Sequence, residues 1–312
     1  MRECYYTPSG KVTGGFFLML SLLCAFFVPV LSAAYVYFVY YTPWIYLNII
    51  AAVVCGAALG AVTDRAARLG KARSPAVVAL CAVAAVAVMK YVQWCFYIPL
   101  VYDESYGLYE RYEGYSLSFG QRLSEALRYL PRPGEVYKGA LSVNEFGVWG
   151  LTPGRADRHA GDNVTGTALL AVWLGEFAFM AAGSALTSRN ASGFPFSETA
   201  NDWYEAVKEK PELDTPLDFS SLKSQMERGD MALAAALAAK GKTDGGDYIR
   251  LSFFRPPPTA RTEDCYMSAT RFVTQAKRRG GGPGVTKPIN YMSLSACDMA
   301  KFLTGEGGLR YD

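Results

Sequence analysis

Two charged residues stand inside stretches of this chain that are otherwise apolar enough to cross a membrane. Glu176 lies within "ALLAVWLGEFAFMAAGSAL", residues 168–186, and Lys90 within "AVMKYVQWCFY", residues 87–97. A carboxylate or an ammonium in hydrocarbon is costly unless it has a partner, a proton or water. Lys90 is eight residues inside one end of its apolar run at Ile98, and Glu176 is nine residues inside the start of its own at Thr167. At ~1.5 Å per residue those depths agree to within about one or two ångström. The two runs must traverse the bilayer in opposite directions, so sequence adjacency does not explain the match. The expectation is an ion pair, Lys90 with Glu176, in which Gln93, one turn away, adds a hydrogen bond. Such a pair can fix helix packing and register. It can also serve as a proton- or ion-responsive element, while a lone Lys90 would snorkel to the surface.

The elements that must position this pair are four apolar runs, at 16–41, 43–62, 76–98 and 167–187. The first has 26 residues without a charge, longer than the ~20 a span needs, and Pro29 offers a kink. Its competing reading is a secretory signal peptide with "VLSAAY" as the cleavage site. Against that, the apolar stretch continues through "VYFVYY". Only Thr42 separates the first and second runs, which implies a tight helical hairpin. In the second, Ala52, Gly56 and Gly60 recur every four residues, a small-residue stripe that lets another helix approach closely. Ser74 and Pro75 suit the start of the third helix, and Pro99 its end.

Loop charge sets direction. "DRAARLGKARS" carries Arg65, Arg68, Lys71 and Arg73 against Asp64, which places it in the cytoplasm by the positive-inside rule. The N-terminal stretch 1–15 and the region 188–312 then share that side of a plasma (inner) membrane. Residues 99–166 lie outside, with seven Lys or Arg and nine Asp or Glu. Tyr37, Tyr40, Tyr41, Trp44, Tyr46, Trp94, Tyr97 and Tyr102 fall at the outer level, where aromatic rings favour the headgroup layer.

The outer segment has two features. "VYDESYGLYERYEGY" spaces Tyr102, Tyr106, Tyr109 and Tyr112 by four and three, continuing to Tyr115. That stripe suits either the headgroup layer or an outer docking face for a peptide or glycan. "SFGQRLSEALRYLP" predicts an amphipathic helix with Leu123, Ala126, Leu127 and Leu130 on one side. "GEVYKGALSVNEFGVWGL" predicts a second, with Val136, Ala140, Val143, Phe146 and Trp149 on one face. Both should pack on the spans or the membrane surface. His159, in "GRADRHAGDN", is the single histidine and reads as solvated loop.

Beyond Ser188 the composition is that of a water-facing α+β domain, with 17 basic and 16 acidic residues. "SETANDWYEAVKEKP" predicts a capped helix, and "DFSSLKSQMERGDMALAAALAAKGK" two more that break at Gly229. "YIRLSFFR", "CYMSATRFVTQ" and "VTKPINYMSLS" predict a three-stranded antiparallel sheet, and "SACDMAKFLTG" a closing helix. "ALAAKGKT" imitates the end of a phosphate-binding loop, but Ala236 stands where glycine is required and a helix where a strand is required. Arg278, Arg279 and Lys287 suit contact with an anionic surface.

Other chemistry has little support. The net charge of +3 and the absence of a basic stripe argue against nucleic acid. Cys24, Cys55, Cys81 and Cys95 lie in apolar runs, and Cys4, Cys265 and Cys297 are isolated, so neither a metal site nor a cofactor is expected. No hydrolase, metalloprotease or transporter-repeat motif stands out. The expected partners are the lipid bilayer and a protein partner or second copy. The leading expectation is a polytopic α-helical membrane protein acting as an assembly or adaptor subunit, without enzymatic activity. The alternatives are a small oligomeric transporter, channel or proton-coupled element using Lys90 and Glu176, and a membrane sensor.

Overall fold

A computed structural model describes residues 4–42, 44–105, 118–147, 164–216, 218–243, 246–273 and 284–304. The chain forms two compact units. One comprises Gly10–Ser192, and the other Met1–Ser9 together with Gly193–Asp312.

The first unit is helical: α1 (Gly14–Tyr41), α2 (Ile45–Leu69), α3 (Pro75–Ser105), α4 (Phe119–Tyr129), α5 (Pro133–Phe146) and α6 (Gly166–Thr187). Four of these, α1, α2, α3 and α6, are long and apolar enough to cross a membrane. Thr13 caps α1 by accepting from the Phe16 N–H, and its hydroxyl donates to the Gly70 carbonyl. Pro29 lies inside α1, which continues on both sides of it.

Two boundaries differ from expectation. The helix of the second run does not stop near Val62 but continues to Leu69, carrying Asp64, Arg65 and Arg68 on its last two turns. Charges end an apolar run, not a helix; Gly70 ends this one. Asp64 serves there as an acceptor, 2.6 Å from the Ala191 N–H just beyond α6. Likewise Pro99 does not end α3, which runs through it to Ser105. Proline removes one backbone bond, and packing on both flanks can carry that loss.

Close approach is built from small residues and hydroxyls. A Cβ on Gly56 would strike the Met180 backbone, and one on Gly60 would strike Ser184 and Thr187. Thr187 Oγ1 donates to the Ala57 carbonyl at 3.1 Å, and Ser32 Oγ, on α1, to the Met89 carbonyl of α3 at 3.0 Å. Hydroxyl bonds of this kind hold helices together where lipid gives them no hydrophobic reason to associate.

The second unit is a five-stranded antiparallel sheet with three helices on one face. β5 (Tyr248–Arg255), β6 (Cys265–Val273) and β7 (Gly284–Leu294) form its body, and β3 (Glu205–Ala206) and β4 (Glu212–Asp214) share the free edge of β5. Along β5, Ile249, Leu251 and Phe253 point into a core with Met267, Ala269, Ile289 and Met292. The helices α7 (Phe219–Glu227), α8 (Ala232–Lys240) and α9 (Ala296–Thr304) close it with Leu222, Met226, Ala234, Met299 and Phe302. Gly229, with φ +89°, breaks α7 from α8.

The capped helix expected at 197–211 is absent. Phe196–Ser197 (β1) and Asp202–Trp203 (β2) form a hairpin instead, with Asn201 in the left-handed region at φ +50°. Trp203, Tyr204 and Val207 fit helical spacing equally well, so the decision is tertiary. Tyr204 donates to Glu263 Oε2 at 2.9 Å, and the Val207 N–H donates to the Phe253 carbonyl at 2.9 Å.

Residues 4–6 fold with this unit. Tyr5 bridges antiparallel to Met292, the Tyr6 N–H donates to the Tyr291 carbonyl at 2.8 Å, and the Ser293 N–H to the Cys4 carbonyl at 2.8 Å. The Tyr5 hydroxyl donates to Glu227 Oε1 at 2.6 Å. The N-terminal segment thus adds an isolated antiparallel bridge to one end of β7. β7 bulges beside it, with Tyr291 at φ +53° and its N–H held by Ser268 Oγ at 3.0 Å.

Candidate functional site

The charged pair is positioned by three apolar helices. Lys90 Nζ lies 3.0 Å from Glu176 Oε2, joining α3 to α6, with side chains 13% and 14% exposed. From α1, the Tyr35 ring stands 5.7 Å from the same ammonium. The Tyr35 hydroxyl lies close enough to Glu176 to feel its charge but has no partner of hydrogen-bonding geometry among the described residues.

Beside the pair is a recess of about 30 Å³, lined by Val36, Val39, Gln93, Trp94, Val172 and Trp173 among others. That is room for one or two water molecules. Trp94 and Trp173 meet edge to face at 4.7 Å and wall it. Gln93 is at the site, but its buried Oε1 accepts from no described residue, so the expected bond to the pair is not formed directly. A water bonded to the ammonium and to Gln93 would satisfy both, since Lys90 has three donors and uses one on Glu176.

Energetics favour keeping both charges or neither. Breaking a buried pair by removing one partner costs about 3–5 kcal/mol, whereas replacing both with apolar groups of similar volume is often neutral or better. The pair ties α3 to α6, and α6 is held twice. Its Glu176 faces Lys90 of α3, while Met180, Ser184 and Thr187 receive the Gly56–Gly60 face of α2. Ala52, the first residue of that stripe, is fully buried.

The other candidate residues are scattered or undescribed. Tyr102 falls in the last turn of α3; Tyr106, Tyr109 and Tyr112 lie outside the described residues, as do Arg278, Arg279 and His159. Lys287 is exposed on β7. Among the described residues, no cluster of three or more His, Cys, Asp or Glu could hold a metal ion.

Sequence reasoning missed the walls of the site. Trp94 follows Lys90 by four residues and Trp173 precedes Glu176 by three, so each tryptophan sits one turn outward from its charge. That shared spacing was a usable signal. Tyr35 and Val36 carried none, because nothing in an uncharged run marks which face meets a neighbour.

No family model matches the chain, and no curated protein or solved structure is similar to it.

Proposed function

We propose that this chain is a polytopic membrane protein whose spans anchor a folded cytoplasmic module and that it works as an assembly or adaptor subunit. The observation that carries the reading is the antiparallel attachment of residues 4–6 to β7, inside the unit that follows the last apolar helix. Chain ends that share one folded unit must lie on one side of the bilayer. Four candidate spans among the described residues would return the chain to its starting side, which agrees with that requirement. Arg65, Arg68, Lys71 and Arg73, at the connection between α2 and α3, favour the cytoplasm of an inner membrane for this side. The bundle is then joined in sequence to a water-facing module through both of the module's segments, which suits an anchored module offered to a partner.

The experiment is affinity purification of the tagged full-length protein from crosslinked native membranes. The adaptor reading expects a stoichiometric partner that is lost when residues 193–304 are removed. Recovery of the protein alone, as a defined oligomer, would contradict it.

The recess favours a second reading, a small transporter or proton-coupled element. Gln93 Oε1 and the Lys90–Glu176 pair offer polar atoms around space for water. Proton or ion flux into liposomes that disappears with Glu176→Gln would establish that reading. Flux indistinguishable from protein-free liposomes would remove it.

A further inference from the structure

Outside the charged pair, α4 and α5 form a hairpin whose depth is fixed by its contacts. The Tyr91 hydroxyl on α3 donates to the Leu130 carbonyl, at the hairpin's tip, at 2.7 Å. Tyr91 is the residue next to Lys90, so the tip reaches the level of the Lys90–Glu176 pair. From there α5 climbs along α3. Val136 packs with Cys95 and Ile98, Gly139 lies against Ile98, and Asn144 Nδ2 donates to the Gly166 carbonyl at 2.9 Å. Gly166 is the outer end of α6, ten residues from Glu176, or about 15 Å. The hairpin therefore runs beside the outer half of the apolar helices.

Each of its helices has three faces. Ala126 of α4, and Val136, Gly139 and Val143 of α5, are buried against the protein. Leu123, Leu127 and Leu130 make an exposed stripe at i, i+4 and i+7, Leu127 being 54% exposed. On α5 the exposed pair is Tyr137 and Leu141. The third face is charged: Arg128 pairs with Glu125, and Arg132 with Glu135, all in open positions. A helix free in water has no need of the second face, and one buried in hydrocarbon cannot carry the third.

We propose that α4 and α5 form a half-span set into the outer leaflet, with leucine faces against acyl chains and charged faces in water. The occupant of the exposed leucine stripe is lipid, because the stripe lies at the depth of the lipid-compatible surfaces of α3 and α6. The water boundary beside α3 is drawn down toward Tyr91, which shortens the apolar barrier over the Lys90–Glu176 pair. This inference rests on the membrane reading of the four apolar helices.

The test places the photoreactive residue p-benzoylphenylalanine at Leu127, Leu141, Arg128 and Leu80 of the full chain, in turn. Membranes are irradiated and lipid adducts read by mass spectrometry. Leu80, 70% exposed on α3, is the control for the membrane reading. The half-span predicts lipid adducts at Leu80, Leu127 and Leu141, several-fold above Arg128. Adducts at Leu80 but not at Leu127 or Leu141 would overturn the half-span alone, whether those sites stay unreacted or crosslink to protein. Equal adducts at Arg128 would overturn it by placing the charged face in lipid. No adduct at Leu80 would overturn the membrane reading and the half-span with it.

Discussion

The helical unit and the mixed unit differ in what they leave exposed, although both enclose large side chains, such as Tyr35 and Leu59 in the first and Phe253 in the second. In the helical unit small side chains fill much of the interior, among them Ala52, Ala66, Ala67, Ala72, Ala82 and Ser184, while Leu18, Leu22, Phe26, Val54, Leu80 and Leu174 face outward. In the mixed unit the large side chains are inside: Phe253, Met267, Ile249, Met292 and Phe302. Water drives large apolar groups inward, because their burial is the main favourable term of folding. Lipid does not, so helices in it are joined by close packing, hydroxyl bonds and rare ion pairs. The contrast is the one expected of apolar helices that face lipid and a mixed unit that faces water, with stabilising devices that differ accordingly.

That contrast can be broken most severely at the helix crossings. Gly60→Leu should prevent α2 and α6 from docking, because the obstruction includes the Ser184 backbone as well as the Thr187 hydroxyl. Its cost should exceed the ~1–3 kcal/mol of ordinary overpacking. Size-exclusion chromatography in detergent should show aggregated protein. In the mixed unit the comparable damage is a cavity, and Phe253→Ala should cost about 3–5 kcal/mol. Calorimetry of the detergent-solubilised chain should then show the mixed unit melting earlier while the helical transition keeps its temperature.

Ion pairs sharpen the comparison further. Lys90→Met or Glu176→Gln alone should destabilise the helical unit by about 3–5 kcal/mol, and the double substitution by less than either. Additive losses in a thermal-unfolding cycle would mean the two side chains do not act as a pair. The exposed Arg255–Glu205 pair of the mixed unit, at 2.8 Å, should give only ~0.2–1 kcal/mol in the same cycle.

Tyr5→Phe should loosen the N-terminal bridge to β7 by about 1.5 kcal/mol through loss of the bond to Glu227. The readout is faster amide exchange at Tyr6 and Ser293. Burial, and then the Glu227 carboxylate, push the Tyr5 hydroxyl pKa above its ordinary value of 10.0, so this bond persists below that pH and weakens only in stronger alkali. The smallest effect is at the acid end. The hydrogen bond to Lys242, then that to Arg250, holds the Glu212 carboxyl below its ordinary 4.5, so its contribution is present above that pH and is lost as pH falls further. A Glu212→Gln variant should lose the corresponding part of the acid dependence of the mixed unit's melting temperature.

Legibility in the sequence followed the same division. The limits of α1 and α6 were readable because their apolar runs end sharply, whereas α2 and α3 ran on because charge and proline mark the ends of apolar runs rather than of helices. Strands β5, β6 and β7 were readable where apolar residues alternate, as in Ile249, Leu251 and Phe253. The β1–β2 hairpin was not, since Trp203, Tyr204 and Val207 fit helical spacing until Glu263 and Phe253 arrive from far along the chain. The bridge at residues 4–6 had no local signal at all; only its partner, β7, defines it. At the site, equal depth placed Lys90 and Glu176 level with each other in the sequence, and the structure puts them 3.0 Å apart. The recess was invisible because part of its wall, Val36 and Val39, comes from the uncharged helix α1.

The central proposal is that the four apolar helices among the described residues cross the bilayer and return both ends to the cytoplasmic side. The most direct measurement is protease protection of epitope tags, one before Met1, one after Asp312 and one between residues 147 and 164, in intact spheroplasts and in inverted membrane vesicles. The account predicts that both terminal tags are protected in spheroplasts and cleaved in inverted vesicles, with the internal tag showing the reverse. Terminal tags cleaved on opposite sides would contradict it.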